Sequence, residues 1–192
     1  MKTLAILLLI TAPLAAQRQE LGLTLGGVLS QTRGQVKLSG GTAFQANYGY
    51  RLANAGPVAI FGEVHFLANP QRTIQAIPTA TRDVASLYVT PGIRVKFLPT
   101  ARVSPYLVAG GGLGVYEHST TLLNGQPNPA PRTVNRGVFA YGGGVDVGVT
   151  KWLGLRCEIR DFYSGSPVFN IPSLRGRQHN VVASGGFVLR FR

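Results

Sequence analysis

The sequence predicts an all-β chain that folds as an eight-stranded antiparallel up-and-down transmembrane β-barrel. Three observations lead to this fold class. Polar and apolar residues alternate in eight segments, long and short connections alternate between those segments, and charges gather on one face only. Successive side chains of a strand point to opposite faces, so a period of two separates them cleanly. No segment has a sustained helical period.

The alternation is clearest in residues 152–163, WLGLRCEIRDFY. Leu155, Cys157 and Ile159 share one face of a strand there, and three charged residues share the other. On a helix the same residues would point all round the axis and leave no apolar stripe. Seven other segments alternate in the same way: residues 20–28, 43–52, 58–66, 87–98, 105–116, 138–149 and 181–191.

The connections between these segments run long, short, long, short, long, short, long. The short ones carry turn residues, such as Gly56 and Pro57. Compact soluble domains rarely contain four long loops, whereas outer-membrane barrels have short turns at one end and longer loops at the other. An even strand count places both termini at the short-turn end, so we expect the long loops to project outward. The connections are residues 29–42, 53–57, 67–86, 99–104, 117–137, 150–151 and 164–180.

Charges on the polar face of the strands predict a lumen rather than a solvated surface. By parity the face holds Glu20 and Arg51 and a predicted lumen charge network of eight more residues: Glu63, Arg94, Lys96, Asp146, Arg156, Glu158, Arg160 and Arg190. Lipid tolerates the apolar face, and a closed barrel pairs every backbone group. Because eight strands leave little interior space, we expect side chains to plug the lumen. An inverted, soluble lipocalin-like barrel with its charges outside remains an alternative.

The start of the chain has the pattern of a secretory signal peptide. Lys2 precedes the apolar run 4–10, and small residues follow as far as Ala16. We expect residues 1–16 to be removed, leaving residues 17–192 as an outer-membrane β-barrel domain. The lone Cys157 excludes an internal disulfide.

The long loops are strongly basic. Their only acidic residues are Asp83 and Glu117, and the formal net charge of the chain is +12. Such a charge often indicates a nucleic-acid partner, but predicted export argues against one. We expect contacts with the phosphates of an anionic outer leaflet, a generic solvated surface being the alternative. The predicted contacts are Arg33, Lys37, Arg72, Arg82, Arg132, Arg136, Arg175 and Arg177.

The chain resembles the outer-membrane protein β-barrel family, the OmpA/OmpX-like eight-stranded barrels. The resemblance rests on the predicted signal peptide followed directly by strands, on the charged LGLRCEIRDFY strand, and on the last strand, SGGFVLRF. Ser184, Gly186, Leu189 and Phe191 are similar to the terminal motif that the barrel-assembly machinery recognises, although Arg192 follows the final aromatic. The resemblance implies a monomer in the bacterial outer membrane, in contact with its lipid and lipopolysaccharide.

Signs of catalysis or of a bound cofactor are weak. The glycine runs 110–112 and 142–144 lie within predicted strands and lack the Lys-Ser/Thr of a phosphate loop. His65 shares parity with the lumen charges and has no matching serine, and His118 and His179 lack the clustering of a metal site. We therefore expect no enzyme, cofactor or metal, and a structural or surface-interaction role. The alternatives are a small porin or transport barrel and a lipid A-modifying enzyme.

Overall fold

The computed structural model describes residues 18–33, 36–171 and 176–191. These residues form eleven strands: β1 (Gln19–Val28), β2 (Gln31–Arg33), β3 (Val36–Leu38), β4 (Gly41–Ala55), β5 (Val58–Gln75), β6 (Asp83–Phe97), β7 (Val103–His118), β8 (Thr133–Gly148), β9 (Leu153–Gly165), β10 (Arg177–Gln178) and β11 (Val181–Phe191). Over the described ranges, the chain has no helix of the length and hydropathy that a membrane crossing requires.

Eight of these strands close into a ring in the order β1, β4, β5, β6, β7, β8, β9, β11. Every neighbouring pair is antiparallel. The closing pair joins β1 to β11 from Gln19 opposite Phe191 to Val28 opposite Val182. The ring therefore leaves no open edge, and the prediction of an eight-stranded antiparallel up-and-down barrel is confirmed.

The strands extend further into the predicted long loops than the sequence suggested. β5 continues to Gln75 instead of ending at residue 66, and β8 begins at Thr133 instead of residue 138. Short strands also form inside the loops, since Lys37 of β3 pairs with Gln75. The loop composition is polar and rich in turn residues, but backbone pairing with a neighbouring strand overrides it. The connections 76–82 and 119–132 are correspondingly shorter than predicted.

The opposite end of the ring has tight connections. Two residues join β4 to β5, and Gly56 adopts a φ of 59° there. Residues 98–102 and 149–152 make the other two turns, and both ends of the ring, at Gln19 and Phe191, lie at this end. The short-turn end and the long-loop end are thus separated as the sequence predicted.

The outer face of the ring is apolar and the inner face is charged, as insertion into a membrane requires. Large apolar side chains are exposed on the outside, for example Leu107 at 60% and Phe187 at 55%. Charged side chains are buried inside, where inward glycines make room for them: a Cβ on Gly49 would lie 2.5 Å from Arg94 Nη2. A soluble lipocalin-like barrel has the reverse arrangement, so that alternative is wrong.

Candidate functional site

The lumen near the short-turn end holds an ionic layer of eight buried residues: Glu20, Glu63, Asp146 and Glu158 with Arg94, Lys96, Arg156 and Arg160. They come from β1, β5, β6, β8 and β9 because each stands at an inward position of its strand. Four carboxylates balance four cations, and each is at most 5% exposed. Buried charges are tolerable only when they are paired and hydrogen-bonded, and these are.

Glu20 is the hub of the ionic layer. Arg94 Nη2 and Lys96 Nζ donate hydrogen bonds to its carboxylate at 2.8 and 2.6 Å. Arg156 Nη2 reaches the same carboxylate at 3.4 Å. One acidic side chain on the first strand of the ring therefore collects cations from two other strands.

Asp146 anchors a second part of the layer. Arg156 binds it through two hydrogen bonds, Nε to Oδ1 at 2.7 Å and Nη2 to Oδ2 at 2.9 Å. Lys96 Nζ lies 2.6 Å from the same Oδ2. Arg156 also donates to Asn47 Oδ1 at 2.7 Å. This bidentate geometry fixes the guanidinium plane across the lumen.

Arg160 organises the third part. It donates to Glu63 at 2.9 Å and to Glu158 at 2.8 Å. Tyr106 donates its hydroxyl to Glu158 at 2.7 Å, and Arg94 Nε lies 3.3 Å from Glu63. Arg94 thus bridges this group to the Glu20 hub, and the layer is continuous across the ring.

The structure places the predicted lumen residues together, with one at the margin. Seven of the eight belong to the ionic layer, whereas Arg190 is partly exposed and its Nε lies 3.8 Å from Glu20. The predicted network lacked Glu20 as a member, and it lacked Tyr106 as a hydrogen-bond donor. Inward parity had placed Glu20 on the polar face of its strand, and it places Tyr106 there as well. It could not have revealed which partners they meet across the lumen.

Toward the long loops, neutral groups replace the charges in a tyrosine layer defined by Tyr88, Tyr116, Phe162, Ser164 and Asn180. Tyr88 donates to the Tyr116 hydroxyl at 3.0 Å, and Asn180 Nδ2 donates to Tyr88 at 3.1 Å. The Tyr116 hydroxyl also shares a hydrogen bond with Ser164. Phe162 stacks on Tyr88 with ring centroids 5.1 Å apart. Aromatic packing and neutral hydrogen bonds fill this half of the lumen, apart from the buried cation Arg72, which donates to Asn180.

The position of Arg72 corrects its predicted role. Its side chain is only 8% exposed. It donates to Ser39 O at 3.0 Å and to Asn180 Oδ1 at 2.7 Å. Because β5 extends beyond the predicted strand, Arg72 stands on an inward position and ties loop backbone to the tyrosine layer. It is therefore not available to an anion outside the protein.

His118, at the loop end of β7, joins two of the long connections. Its Nδ1 contacts Pro131 O at 2.8 Å, and its Nε2 accepts a hydrogen bond from Val168 N at 2.9 Å. Nε2 can accept only while it carries no proton. Burial lowers the pKa of His118, which favours the neutral form that this contact needs. The sequence singled out this residue only to dismiss it as a metal ligand.

The other loop cations differ in their surroundings. Arg82 pairs with Asp83 at 3.3 Å, and Arg132 pairs with Glu117. Arg136 Nε donates to Ser166 O at 3.1 Å. Lys37, another predicted contact, is exposed. The side chain of Arg33 and the whole of Arg175 lie outside the described residues.

Arg177 lies beside an aromatic ring at the outer rim of the barrel. Its guanidinium carbon is 5.6 Å from the centroid of Tyr163. Arg177 is exposed, and so is the neighbouring His179. This cation is therefore positioned by an aromatic surface rather than by an acidic partner.

His65 is buried in the lumen and contacts Gln45 Oε1 at 3.0 Å and the ring of Phe162. No group of three or more potential metal ligands occurs within the described ranges. The terminal motif lies on the closing strand, with Ser184 and Gly186 inward and Leu189 and Phe191 on the lipid side. Its recognition by the assembly machinery stays a prediction, and the predicted leader 1–16 lies outside the described residues.

A closed ring with an apolar exterior and an ionic interior defines an outer-membrane-type β-barrel protein. A family model for the outer membrane protein beta-barrel domain matches residues 3–187. The chain belongs to this family, which places it in the bacterial outer membrane. No curated protein matches the sequence at the level that indicates a relative.

Solved structures of outer-membrane proteins share the fold at low sequence identity. Neisserial surface protein A has a TM-score of 0.59 and 16% identity, over 90% of this chain and 96% of that one. OprG of Pseudomonas aeruginosa has a TM-score of 0.55 and 12% identity, over 92% and 97%. The attachment invasion locus protein Ail of Yersinia pestis, solved with the heparin analogue sucrose octasulfate, has 0.50 and 16%, over 91% and 99%.

Proposed function

We propose that this protein is a small outer-membrane barrel whose lumen is sealed by its own side chains and whose role, structural or in surface interaction, resides in its basic outer loops. The observation that supports it best is the continuous ionic layer. Ion pairs cross the lumen from Glu20 to Lys96, from Lys96 to Asp146, and from Glu63 to Arg160. A solute would have to break several of these pairs to pass, and each break would leave a buried charge unpaired.

A cavity of about 960 Å³ at the short-turn end gives the alternative of a small porin its main support. Its lining includes Arg51, Arg102 and Arg190, so an anion could enter this mouth. The cavity also reaches Glu20, the hub of the ionic layer, where paired side chains block the way. We therefore propose that this cavity ends at the ionic layer and does not continue through the barrel.

Conductance tests the seal. We expect the purified full-length barrel in planar bilayers to give no large, steady single-channel currents in molar salt. The Glu20→Gln variant, which removes the hub charge, is a useful companion because it should loosen the layer. Large and steady currents from the unsubstituted protein would contradict the sealed lumen and favour the porin alternative.

The proposed orientation places the long-loop end outside the cell and both termini in the periplasm. It follows from the even strand count and from the expectation that the final strand is delivered to the assembly machinery from within. Signal cleavage after Ala16 and a monomeric state belong to the same proposal. Protease added to intact cells should cut within residues 76–82 or 119–132. Cuts confined to residues 56–57 or 98–102 would mean the opposite orientation.

The partner we propose is anionic: the phosphates of outer-leaflet lipid and lipopolysaccharide, or an acidic surface polymer. Exposed Lys37 and Arg177 support it, as do Arg82 and Arg132, whose side chains are more than half exposed although each has an acidic neighbour. The complex of Ail with a sulfated sugar is an instance of polyanion binding on the same fold. Arginine forms bidentate, charge-assisted hydrogen bonds with such groups.

Salt dependence tests the anionic partner. We expect the barrel, in neutral nanodiscs, to bind vesicles that contain an anionic phospholipid and to release them as ionic strength rises. Vesicles of neutral lipid alone are the control. Binding that is equal for both vesicles, or unchanged by salt, would contradict this part of the proposal. The proposal assigns no catalytic role.

A further inference from the structure

An outward-facing carboxylate lies at the rim of the barrel nearest the long loops. Asp161 of β9 accepts hydrogen bonds from the Tyr141 hydroxyl at 2.7 Å, from His179 Nδ1 at 2.5 Å and from Asn180 N at 3.1 Å. Three donors on one carboxylate hold it firmly. Asp161 shares its face of β9 with the lipid-facing residues, not with the ionic layer.

The position of Asp161 marks the depth of the bilayer surface. Ile159, two residues nearer the membrane centre on the same face, is apolar and 53% exposed. Charged groups on the lipid face of a barrel are costly at the midplane and nearly free near the interface. Asp161 and its donors therefore lie at the level of lipid headgroups.

His179 and Arg177 present cationic or donating groups at this level. Asp161 orients the imidazole of His179 through Nδ1, and Nε2 has no hydrogen-bond partner among the residues that the structure describes. Tyr163 packs beside His179 with ring centroids 4.8 Å apart and supports Arg177 on its ring. Arg177 and His179 border a cleft of about 340 Å³ together with Gln31, Thr32 and Gln178.

An apolar groove of about 550 Å³ lies further toward the membrane centre, on the outer face of β1, β4, β5, β6 and β11. It reaches β11 at Gly185, which pairs with Leu25 of β1. Its lining has small residues at Gly185, Ala46 and Ala68, and larger ones on either side, including Phe44 and Phe187. The backbone runs six residues from His179 to Gly185, which corresponds to about 20 Å in an extended strand. An acyl chain of ordinary length spans such a distance.

We infer that the β1–β11 closure is a binding seat for one lipid that carries a phosphate headgroup, with the phosphate between Arg177 and His179 and an acyl chain in the groove. This inference rests on the orientation and the anionic partner proposed above, and it specifies where the lipid binds and which headgroup it carries. The cleft lies where the chain continues beyond the paired ends of β1 and β11 at Val28 and Val182, and the groove reaches the same two strands at Leu25 and Gly185. A headgroup and its acyl chain can therefore occupy the two parts together.

Phosphate fits the polar cleft better than a neutral headgroup does. Both oxygens of Asp161 already accept hydrogen bonds from protein groups, so the carboxylate repels an incoming anion less than an unpaired one would. Arg177 provides a planar fork of donors and His179 a single directed donor. The tetrahedral oxygens of a phosphate monoester can accept from both at once.

Native mass spectrometry of the detergent-solubilised full chain tests the headgroup. The probes are a diacyl phosphate monoester, the diacylglycerol with the same chains, and water-soluble glycerol phosphate. We expect retention of the phosphate lipid and no retention of the neutral one. The Arg177→Gln/His179→Gln double variant should bind the phosphate lipid about tenfold more weakly or worse. Arg18→Gln, which removes an exposed arginine at the short-turn end of the barrel, should bind it like the native protein.

Gly185→Leu tests the groove separately. A Cβ at Gly185 meets only Arg156 O, at 3.8 Å, so the larger side chain fits without disturbing the strand. We expect it to weaken retention of the phosphate lipid while leaving the weak binding of glycerol phosphate unchanged. Gly111→Leu is the matched control, because Gly111 is equally open, with Val138 O at 3.8 Å, and lies elsewhere on the barrel.

The outcomes separate this inference from the proposed function. Native affinity in both the double variant and Gly185→Leu overturns the seat, and the proposed function survives if vesicle binding still falls with salt. Equal retention of the neutral lipid overturns the assignment of phosphate. Failure of the unsubstituted protein to retain the phosphate lipid, together with salt-independent vesicle binding, overturns both proposals.

Discussion

The two halves of the lumen are filled by different chemistry. Near the short turns, the ionic layer joins buried carboxylates to buried cations, such as Glu20 to Lys96 at 2.6 Å. Beneath the long loops, the tyrosine layer joins neutral hydroxyls and amides, such as Tyr88 to Tyr116 at 3.0 Å. The difference teaches that one barrel wall accommodates both kinds of filling, provided that each polar side chain of the two layers makes at least one hydrogen bond.

The two fillings should respond differently to the loss of one partner. A buried ion that loses its counterion retains its full desolvation cost, whereas a neutral group that loses one hydrogen bond retains much less. The ionic layer is also contiguous, so damage at its hub reaches several cations at once. Single substitutions in the two halves can therefore be ranked before any measurement.

The largest loss is expected for Glu20→Gln. The amide keeps the shape of the side chain but removes the charge that Arg94, Lys96 and Arg156 share. The free energy of unfolding should fall by about 3 kcal/mol or more. Urea unfolding in phospholipid vesicles, followed by the gel shift of the folded barrel, measures it. Glu117→Gln, which breaks an exposed pair, should cost less than about 1 kcal/mol; equal losses would show that the hub is not special.

Glu158→Leu should follow, with a loss of about 2 kcal/mol. Arg160 retains Glu63 at 2.9 Å in this variant, while the Tyr106 hydroxyl loses its acceptor. The same unfolding assay applies. In the background of Arg160→Met the further cost of Glu158→Leu should shrink, because the cation that needs Glu158 is gone. An unchanged cost in that background would mean that the pair is not coupled.

Tyr116→Phe probes the neutral half and should cost about 1 kcal/mol. It removes one hydroxyl that contacts Tyr88 and Ser164 and leaves the ring in place. The loss should be the same at low and high salt, since the partners of the deleted hydroxyl, Tyr88 and Ser164, are neutral. Tyr50→Phe, on the outer face at 40% exposure, should be close to neutral. A loss of unfolding free energy in Tyr116→Phe as large as that in Glu20→Gln would contradict the expected difference between the two halves of the lumen.

The smallest effect is a local one at acidic pH. A lowered folded-state pKa means that the neutral His118 contact is fully present above about 6.5 and is lost as pH falls through the lower folded value. Hydrogen exchange of the Val168 amide, corrected for intrinsic rates, should therefore rise relative to neutral pH. His118→Gln should abolish this dependence, and His179→Gln should preserve it. Persistence of the dependence in His118→Gln would assign it to another group.

Alternation of polar and apolar residues was sufficient to predict the ring and the side of each strand. It placed Asp146 and Arg156 in the lumen, and the alternation of connection lengths separated the two ends. Alternation is local, however, and carries no information about which inward residues meet. Glu20 was recognised as inward but not as the hub, because its partners lie 74 to 136 positions away.

The loops were the weaker part of the prediction. Arg72 was expected at the surface because its segment is polar and follows an apolar strand, yet backbone pairing carries β5 past it and turns its side chain inward. His118 was correctly placed at a loop base, but its partners are backbone groups at residues 131 and 168. Contacts that depend on how two loops meet leave no pattern in either loop alone.

The hub at Glu20 has a consequence for the order of assembly. Glu20 is on the first strand of the ring, and its partners Arg94 and Arg156 are on strands made much later. In a sheet that has not yet closed, Arg156 can still pair with Asp146 of the adjacent strand β8, but the ion pairs to Glu20 across the lumen are missing. Lipid insertion ahead of closure is therefore opposed by incompletely compensated charge. Closure of the ring between β1 and β11 and neutralisation of the lumen charges should therefore occur as one cooperative event. A partly assembled barrel should not be stable in the membrane.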